Sequence, residues 1–173
     1  ATLAQREWSR WWDYIAKDPS IDEVILSGGD PLMLHDDALA KCLQGIDAIA
    51  HVKRIRIHTR LPVVIPKRFT HAFAQLCQAH QVLLVLHVNH ANELKDSLLM
   101  QRLLELRQSG VQVFNQSVLL SGVNDEASAQ VDLSKALWQC GVLPYYLHVL
   151  DPVAGAGHFT VTDARAIAIH EAM

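Results

Sequence analysis

Short apolar runs that end abruptly in polar residues recur along the chain about every thirty residues. Their centres lie near Ile25, Ile55, Leu84, Val113 and Leu147, and segments with the helical spacing of apolar residues separate them. This is the spacing of repeated βα units. Because no reversed hairpin interrupts the series, the pattern predicts an α/β fold in which parallel strands alternate with helices.

The second predicted strand, residues 54–60, alternates between two chemically different faces. Ile55 and Ile57 share one face, and the other face carries Arg54, Arg56, His58 and Arg60. A strand covered by helices on both faces is apolar throughout, so we expect the second face to meet water or a polar interior. Polar residues also follow the other strands, and these strand ends converge only if the sheet curls. We therefore expect a TIM-like (β/α) barrel, which is partial because eight units need about 250 residues.

The apolar spacing also predicts the helices and the connectors. Helices are expected over residues 3–17, from about 36 to 50, from about 67 to 80, from after Glu93 to Gln108, over 126–139 and from about 162. Two prolines predict that residues 61–66 form an extended connector.

Composition narrows the class of protein. A chain of 173 residues with half of them hydrophobic is typical of one globular domain, and a net charge of −3 gives no footprint for nucleic acid or an anionic membrane. No apolar run reaches membrane-spanning length. Cys42, Cys77 and Cys140 form no CxxC motif, so we expect free thiols in a reducing cytoplasm. Because the chain lacks an initiator Met and stops within a helical pattern, we expect an internal fragment.

Polar residues of several chemical types follow the predicted strands. They are Ser27-Gly28-Gly29-Asp30, His58-Thr59-Arg60, His87 with Asn89-His90, Asn115-Gln116, and His148 with Asp151. Their convergence at one edge predicts a ligand site. From spacing alone the chemistry stays open. The histidines, His87 and His90 above all, are compatible with a TIM-like metal-dependent hydrolase, and a non-catalytic barrel that binds a small molecule is a further alternative.

Five motifs in order resemble the lysine 2,3-aminomutase family of radical S-adenosylmethionine (SAM) enzymes. They are Ser27-Gly28-Gly29-Asp30-Pro31-Leu32, the segment of residues 56–66, Asn89-His90-Ala91-Asn92-Glu93, Asn115-Gln116 with the segment up to Asp125, and the segment from Pro144 through Asp151 to Phe159. Within the family, residues 145–151 look most like the short proteobacterial members that make β-lysine for modification of elongation factor P.

The resemblance implies a partial (β/α) barrel of the radical SAM type and an isomerase that converts L-lysine to β-lysine. It implies three cofactors: SAM, a [4Fe-4S] cluster and pyridoxal phosphate (PLP). In the family the cluster-binding CxxxCxxC lies before Ala1 and the PLP lysine after Met173. Residues 1–173 are therefore expected to be a core barrel segment that is inactive alone.

The resemblance also assigns site residues. Ser27, Gly28, Gly29 and Asp30 match the motif that holds the methionine end of SAM, and His87 and Gln116 match SAM-contacting positions. Asp151 matches the acid that receives the side-chain ammonium of the substrate, a task suited to a carboxylate. Arg60 and Asn115 are assigned to cofactor binding, with structural support as the alternative for each. Ser121 stands where many relatives have Arg.

Overall fold

Five parallel strands alternate with helices over residues 3–173, the part of the chain that the computed structural model describes, with side chains from Trp8 onward. The strands are β1 (Glu23–Leu26), β2 (Arg54–Thr59), β3 (Leu83–His87), β4 (Val113–Leu119) and β5 (Leu143–Val149). The α-helices are α1 (Leu3–Lys17), α2 (Asp36–Asp47), α3 (Leu61–Val64), α4 (His71–Ala79), α5 (Ser97–Gln108), α6 (Ala127–Gln139) and α7 (Asp163–Glu171). Single 3-10 turns form at Pro31–Met33, Pro66–Arg68, Ala91–Leu94 and Gly157–Phe159.

The sheet is open and follows the order of the chain, β1-β2-β3-β4-β5, with every neighbouring pair parallel. This arrangement confirms the predicted α/β class and the alternation of strands and helices. It is the arrangement of a partial (β/α) barrel.

The two faces of the sheet differ as the alternation of residues in β2 predicts: one face is apolar and the other is polar. On the outer face, Ile57 and Leu84 are register partners and fully buried against the helices. Residues Leu39, Leu43, Phe73, Leu99 and Leu103 of those helices are also fully buried. On the inner face, Arg56 is mostly buried and donates to Glu23 Oε2 at 2.7 Å. The second face of β2 therefore meets a polar interior.

The segment after β2 is helical, and the expectation of an extended connector is wrong. Pro62 stands in the first turn of α3, where proline costs no hydrogen bond. The Asp30 carboxylate accepts from the backbone N–H groups of Arg60 and Leu61, both at 2.8 Å, and so satisfies donors at the start of this helix.

Side-chain caps set two other helix starts later than predicted. Thr70 Oγ1 accepts from Phe73 N at 3.0 Å, and α4 begins at His71. Asp96 Oδ1 accepts from Leu99 N at 3.0 Å, and the helix predicted after Glu93 begins only at Ser97.

A bulge separates the lower and upper parts of β5. Asn115 pairs with Pro144 and Gln116 with Tyr146, which leaves Tyr145 without a register partner. Proline has no N–H for the ladder and is tolerated at such irregularities. Among the described residues, no helix has the length and apolar character needed to cross a membrane.

Candidate functional site

The loop after β1, residues 27–30, forms a backbone cradle at the carboxyl edge of the sheet. Gly28 and Gly29 have φ values of +80° and +48°, a conformation that glycine adopts without strain. A Cβ atom added at either position would meet no atom within 4 Å. The main chain of this strand-end cradle is therefore open to close approach by a ligand.

Asp30 clamps the strand-end cradle onto the end of β2. Its Oδ1 atom accepts from Leu32 N at 3.0 Å and from Thr59 Oγ1 at 2.7 Å. Its Oδ2 atom accepts from Arg60 N and Leu61 N. The carboxylate is thus occupied by the protein, and its direct contribution to the site is to fix the position of the two glycines.

Arg60 joins the ends of β2 and β3. Its guanidinium donates to the His87 carbonyl oxygen at 3.0 Å and to Glu93 Oε2 at 2.6 Å. Glu93 Oε1 in turn accepts from the N–H groups of Asn89 at 2.7 Å and His90 at 3.0 Å. Arg60 lies at the carboxyl edge of the sheet, as predicted, but its guanidinium is already bonded to the His87 carbonyl and the Glu93 carboxylate.

His87 and Gln116 are register partners on β3 and β4, and both lie on the inner face. The Nε2 atom of His87 is buried without a hydrogen-bond partner. Burial lowers the pKa of His87, and the charge of Arg60 lowers it further. The ring is therefore neutral at pH 7, and it holds an unused hydrogen-bonding atom at the carboxyl end of β3.

Asn115 lies on the outer face, since successive strand residues point to opposite sides. Its Oδ1 accepts from Val88 N at 2.9 Å and its Nδ2 donates to Val88 O at 3.0 Å, at 2% exposure. The structure does not bring this amide to the inner face with His87 and Gln116. Its assignment as a cofactor ligand stays a prediction, and the geometry favours the structural alternative.

Three more amides hold the same loops as Asn115. Of these, only Asn89 stands among the strand-end residues from which the sequence predicts a ligand site, and none of the three was assigned a role of its own. Asn124 accepts from Leu120 N at 2.7 Å and donates to Asn89 O at 2.7 Å and Val118 O at 2.9 Å. Asn89 Oδ1 accepts from Val118 N at 2.9 Å, and Gln130 donates to Asn124 O at 2.8 Å. We call Asn89, Asn115, Asn124 and Gln130 the amide clasp. It fixes the loops that follow β3 and β4.

Asp151 is exposed and stands two residues beyond the end of β5. The loop beyond it is tied to the loop after β4, because Ser121 N donates to Phe159 O at 2.8 Å. Topology therefore places Asp151 at the carboxyl edge, as predicted.

The inner face also carries polar residues that the sequence assignments left out. His58 Nε2 is buried without a hydrogen-bond partner, like His87 Nε2. Burial lowers the pKa of His58, and the neighbouring charge of Arg56 adds to this effect. The alternation of β2 predicts that His58 lies on a polar face, but it assigns the ring no specific role.

The residues of the carboxyl edge fit SAM, because an open glycine backbone follows β1 and an imidazole nitrogen without a hydrogen-bond partner stands at the end of β3. They do not fit a [4Fe-4S] cluster. Within the part of the chain that the structure describes, no three His, Cys, Asp or Glu side chains group as a metal site. Cys42 and Cys77 are buried, which raises their pKa values to about 11 and about 12. PLP likewise has no matching lysine on the strands, since β1 to β5 contain none.

His90 is occupied by a structural contact, which weakens the hydrolase alternative. Its Nδ1 atom accepts from Asn92 N at 3.1 Å and caps the turn Ala91–Leu94. His90 therefore has one ring nitrogen fewer for a metal ion. Among the described residues, no third ligand joins His87 and His90 in a metal site.

Sequence comparison identifies relatives over most of the chain. No family model matches. The chain is 52% identical over 165 residues to L-lysine 2,3-aminomutase of Escherichia coli K12, covering 94% of this chain and 48% of that protein. It is 46% identical over 171 residues to L-lysine 2,3-aminomutase of Haemophilus influenzae, covering 98% and 50%. The corresponding protein of Clostridium subterminale is 37% identical over 162 residues, with 93% and 39% covered.

Structural comparison gives the same fold group. A radical SAM methyltransferase from Sphaerobacter thermophilus superposes with a TM-score of 0.62 at 18% identity, over 87% of this chain and 47% of that chain. These matches confirm the resemblance to the lysine 2,3-aminomutase family and the radical SAM barrel fold. The chain spans about half the length of the first two curated relatives.

Proposed function

We propose, from the homology of this chain to L-lysine 2,3-aminomutases over most of its length, that it forms the SAM-binding core of a radical SAM aminomutase. The proposed reaction is the isomerisation of L-lysine to β-lysine. The observation that carries the proposal is the strand-end cradle, whose clamped, open glycine backbone lies at the same edge of the sheet as the end of β3, where His87 Nε2 is buried without a hydrogen-bond partner.

The cradle suits the methionine end of SAM. This end carries an ammonium, a carboxylate and a sulfonium, and main-chain N–H and C=O groups can satisfy the first two at close range. Gly28 and Gly29 permit that approach because they lack side chains. Asp30 contributes indirectly, since its carboxylate holds the loop against Thr59, Arg60 and Leu61.

His87 and Gln116 extend the proposed site along the inner face. A neutral imidazole is a better neighbour for a sulfonium or ammonium than a charged one, because it adds no repulsion. Gln116 offers both an acceptor and a donor. Arg60 and Asn115 support the site without lying in it. Arg60 holds Glu93 at the end of β3, and Asn115 holds the backbone of Val88. Bound SAM supplies the group that removes a hydrogen atom from the substrate.

Asp151 is proposed to receive the side-chain ammonium of lysine. The carboxylate is exposed at the edge that holds the cradle, and a charge-assisted hydrogen bond to an ammonium is among the stronger polar contacts. Lysine as the substrate of this chain follows the names of its relatives.

The other cofactors and the biological role are proposals from the resemblance. It places the cluster cysteines before residue 1 and the PLP lysine after residue 173, and we propose residues 1–173 as the core barrel segment between them. On this proposal residues 1–173 alone are inactive, and the β-lysine serves to modify elongation factor P. A cytoplasmic location is proposed from the three buried, free cysteines.

Conversion of lysine by the intact protein tests the proposal. The protein is reconstituted with iron and sulfide, then incubated with lysine, SAM, PLP and a reductant. We expect β-lysine, and we expect Asp151→Asn to lose most of this turnover while it keeps SAM binding. SAM binding without any conversion of lysine would instead identify a non-catalytic SAM-binding barrel, and stoichiometric zinc without iron would identify the hydrolase.

A further inference from the structure

The two glycines of the strand-end cradle are not held in place by their own packing. Gly28 and Gly29 have positive φ values, and a Cβ atom added at either position would meet no atom within 4 Å. Glycine also has more conformational freedom to lose than any other residue. The conformation of the cradle therefore depends on the contacts that fix the chain on either side of the two glycines.

Arg68 fixes the chain that follows the cradle. This residue ends the 3-10 turn Pro66–Arg68, and its guanidinium contacts the segment of residues 31–34, which we call the cradle turn. Its Nε atom donates to Leu32 O at 2.7 Å, and its Nη2 atom donates to Leu34 O at 3.0 Å. Two carbonyl groups of the cradle turn are thus bonded to one guanidinium from a distant segment of the chain.

The Arg68 side chain is itself fixed by its surroundings. Its Nη1 atom forms an ion pair with Asp36 Oδ1 at 2.8 Å, and its Cζ atom lies 5.2 Å from the centre of the Phe73 ring, within the range of a cation–π interaction. The side chain is mostly buried. Because the planar guanidinium has its donors in a rigid fork, the single ammonium of a lysine cannot reproduce this set of contacts.

Residues 60–68 hold the loop after β1 at two points. At the start of this segment, the N–H groups of Arg60 and Leu61 donate to the Asp30 carboxylate, directly after the glycines. At its end, Arg68 donates to the cradle turn. A loop that is fixed in advance loses less conformational entropy when a ligand binds to its main chain.

We propose that Arg68 is a positioning residue for SAM, which holds the cradle turn so that Gly28 and Gly29 keep the conformation that binds the cofactor. The inference rests on the proposed function, which assigns the cradle to SAM. All three guanidinium nitrogens of Arg68 are in contact with the protein. Arg68 therefore acts on SAM only through the backbone of the cradle turn.

Calorimetric titration with SAM tests this role. The intact, reconstituted protein is used without reductant, so that SAM is not consumed. Arg68→Met keeps the aliphatic stem and removes the donors, and we expect its dissociation constant for SAM to rise about tenfold, which corresponds to the cost of ordering the backbone of about one residue. Arg68→Lys keeps the charge and one donor group, and we expect a smaller rise.

The same titration separates positioning from a loss of folded protein. A variant that is only less stable has fewer folded sites, which lowers the stoichiometry of binding but not the affinity of the sites that remain. Asp96→Ala is the stability control, because it removes the side-chain cap of α5 and leaves the cradle turn untouched. Asp36→Asn is the contact control, because it removes the ion pair and leaves the bonds of Arg68 to Leu32 and Leu34. We expect each control to change the dissociation constant by less than about twofold.

An unchanged dissociation constant in Arg68→Met would overturn the positioning role, as would an equal rise in either control. If Arg68→Met does not fold, Arg68→Lys decides by the same criterion. In all of these results the wild-type protein binds SAM, and the proposed function stands. A wild-type protein that binds no SAM would refute the proposed function itself, and the role of Arg68 with it.

Discussion

Two groups of polar side chains near the carboxyl edge differ in how far the protein uses their hydrogen-bonding atoms. In the satisfied group, Asp30 accepts from Leu32, Thr59, Arg60 and Leu61, and the amide clasp is bonded to backbone throughout. In the open group, His58 and His87 each keep a buried Nε2 atom without a partner, and Gln116 on β4 is the register partner of His87 on the same inner face.

This difference separates residues that build the site from residues that are free to bind. A buried polar atom without a partner costs free energy, and a ligand can recover that cost. Asp30 follows β1, His87 ends β3 and Asn115 lies within β4, and all three appear among the predicted site residues. Their side chains nevertheless have different roles. Loss of a side chain of the satisfied group should lower the stability of the fold, and loss of a side chain of the open group should weaken SAM binding.

Asp30→Ala should give the largest loss of stability. The variant removes the acceptor of the Thr59 hydroxyl and of the Leu32 and Arg60 N–H groups, and we expect the free energy of unfolding to fall by about 3 kcal/mol. Urea unfolding measures it. Asp37→Ala is the control, because this exposed residue in the first turn of α2 contributes less than about 1 kcal/mol through the helix dipole. Equal losses in the two variants would contradict the clamp.

Asn115→Ala and Gln116→Ala compare the two groups at adjacent positions of β4. Asn115→Ala leaves the Val88 N–H and C=O buried without partners, and should lower the free energy of unfolding by about 2 kcal/mol. Gln116→Ala should cost less than about 1 kcal/mol, since it removes no well-formed bond in the protein. The two unfolding curves are measured side by side. A larger loss for Gln116→Ala would reverse the assignment of the two faces.

Gly45→Ala tests the packing of the outer layer. A Cβ atom there would overlap the indole ring of Trp12, so this side chain of α1 must shift. Overpacking outweighs the better helix propensity of alanine, and the expected net loss is about 1 kcal/mol. Gly157→Ala is the matched control, because its Cβ would meet no atom within 4 Å, and should change stability by less than about 0.5 kcal/mol. Identical melting curves would show that α1 packs elsewhere.

The pH dependence of stability gives the smallest effect. Burial lowers the pKa values of His58 and His87 below their ordinary value of 6.5. Folding therefore disfavours protonation of both rings, and their share of stability is present above pH 6.5 and is lost as the pH falls below it. We expect wild-type protein to lose more stability between pH 7.5 and 5.5 than a variant with both rings changed to Gln. His71→Gln, at an exposed position, should behave as wild type, and parallel slopes for all three proteins would argue against neutral buried rings.

The periodic features of the fold were predictable from sequence. A period of two over residues 54–60 placed Ile55 and Ile57 on one face and Arg56 and His58 on the other, and the structure shows that the second face meets a polar interior and not water. The same period also contained a signal that was not used: Asn115 and Gln116 are neighbours in a strand, so they must face opposite sides. One of the two could have been assigned to the outer face.

Other features depend on contacts between distant segments and carry no local signal. The short helix α3 forms where the Asp30 carboxylate meets the N–H groups of Arg60 and Leu61, thirty residues away in the case of Arg60. The amide clasp joins Asn89 to Val118 and Asn124, which are 29 and 35 residues distant. No spacing rule indicates these pairs, because any Asn in a loop can serve as a turn residue or as a clasp.

The affinity of the intact protein for SAM, measured by calorimetry for wild type and His87→Ala, tests the central claim most directly. We expect wild-type protein to bind SAM and His87→Ala to bind it about tenfold more weakly, because the variant lacks one hydrogen-bonding group. We expect the midpoint of thermal unfolding to be the same for both proteins. SAM binding that is equally tight in His87→Ala would contradict the assignment of the inner face at the carboxyl edge as the SAM site.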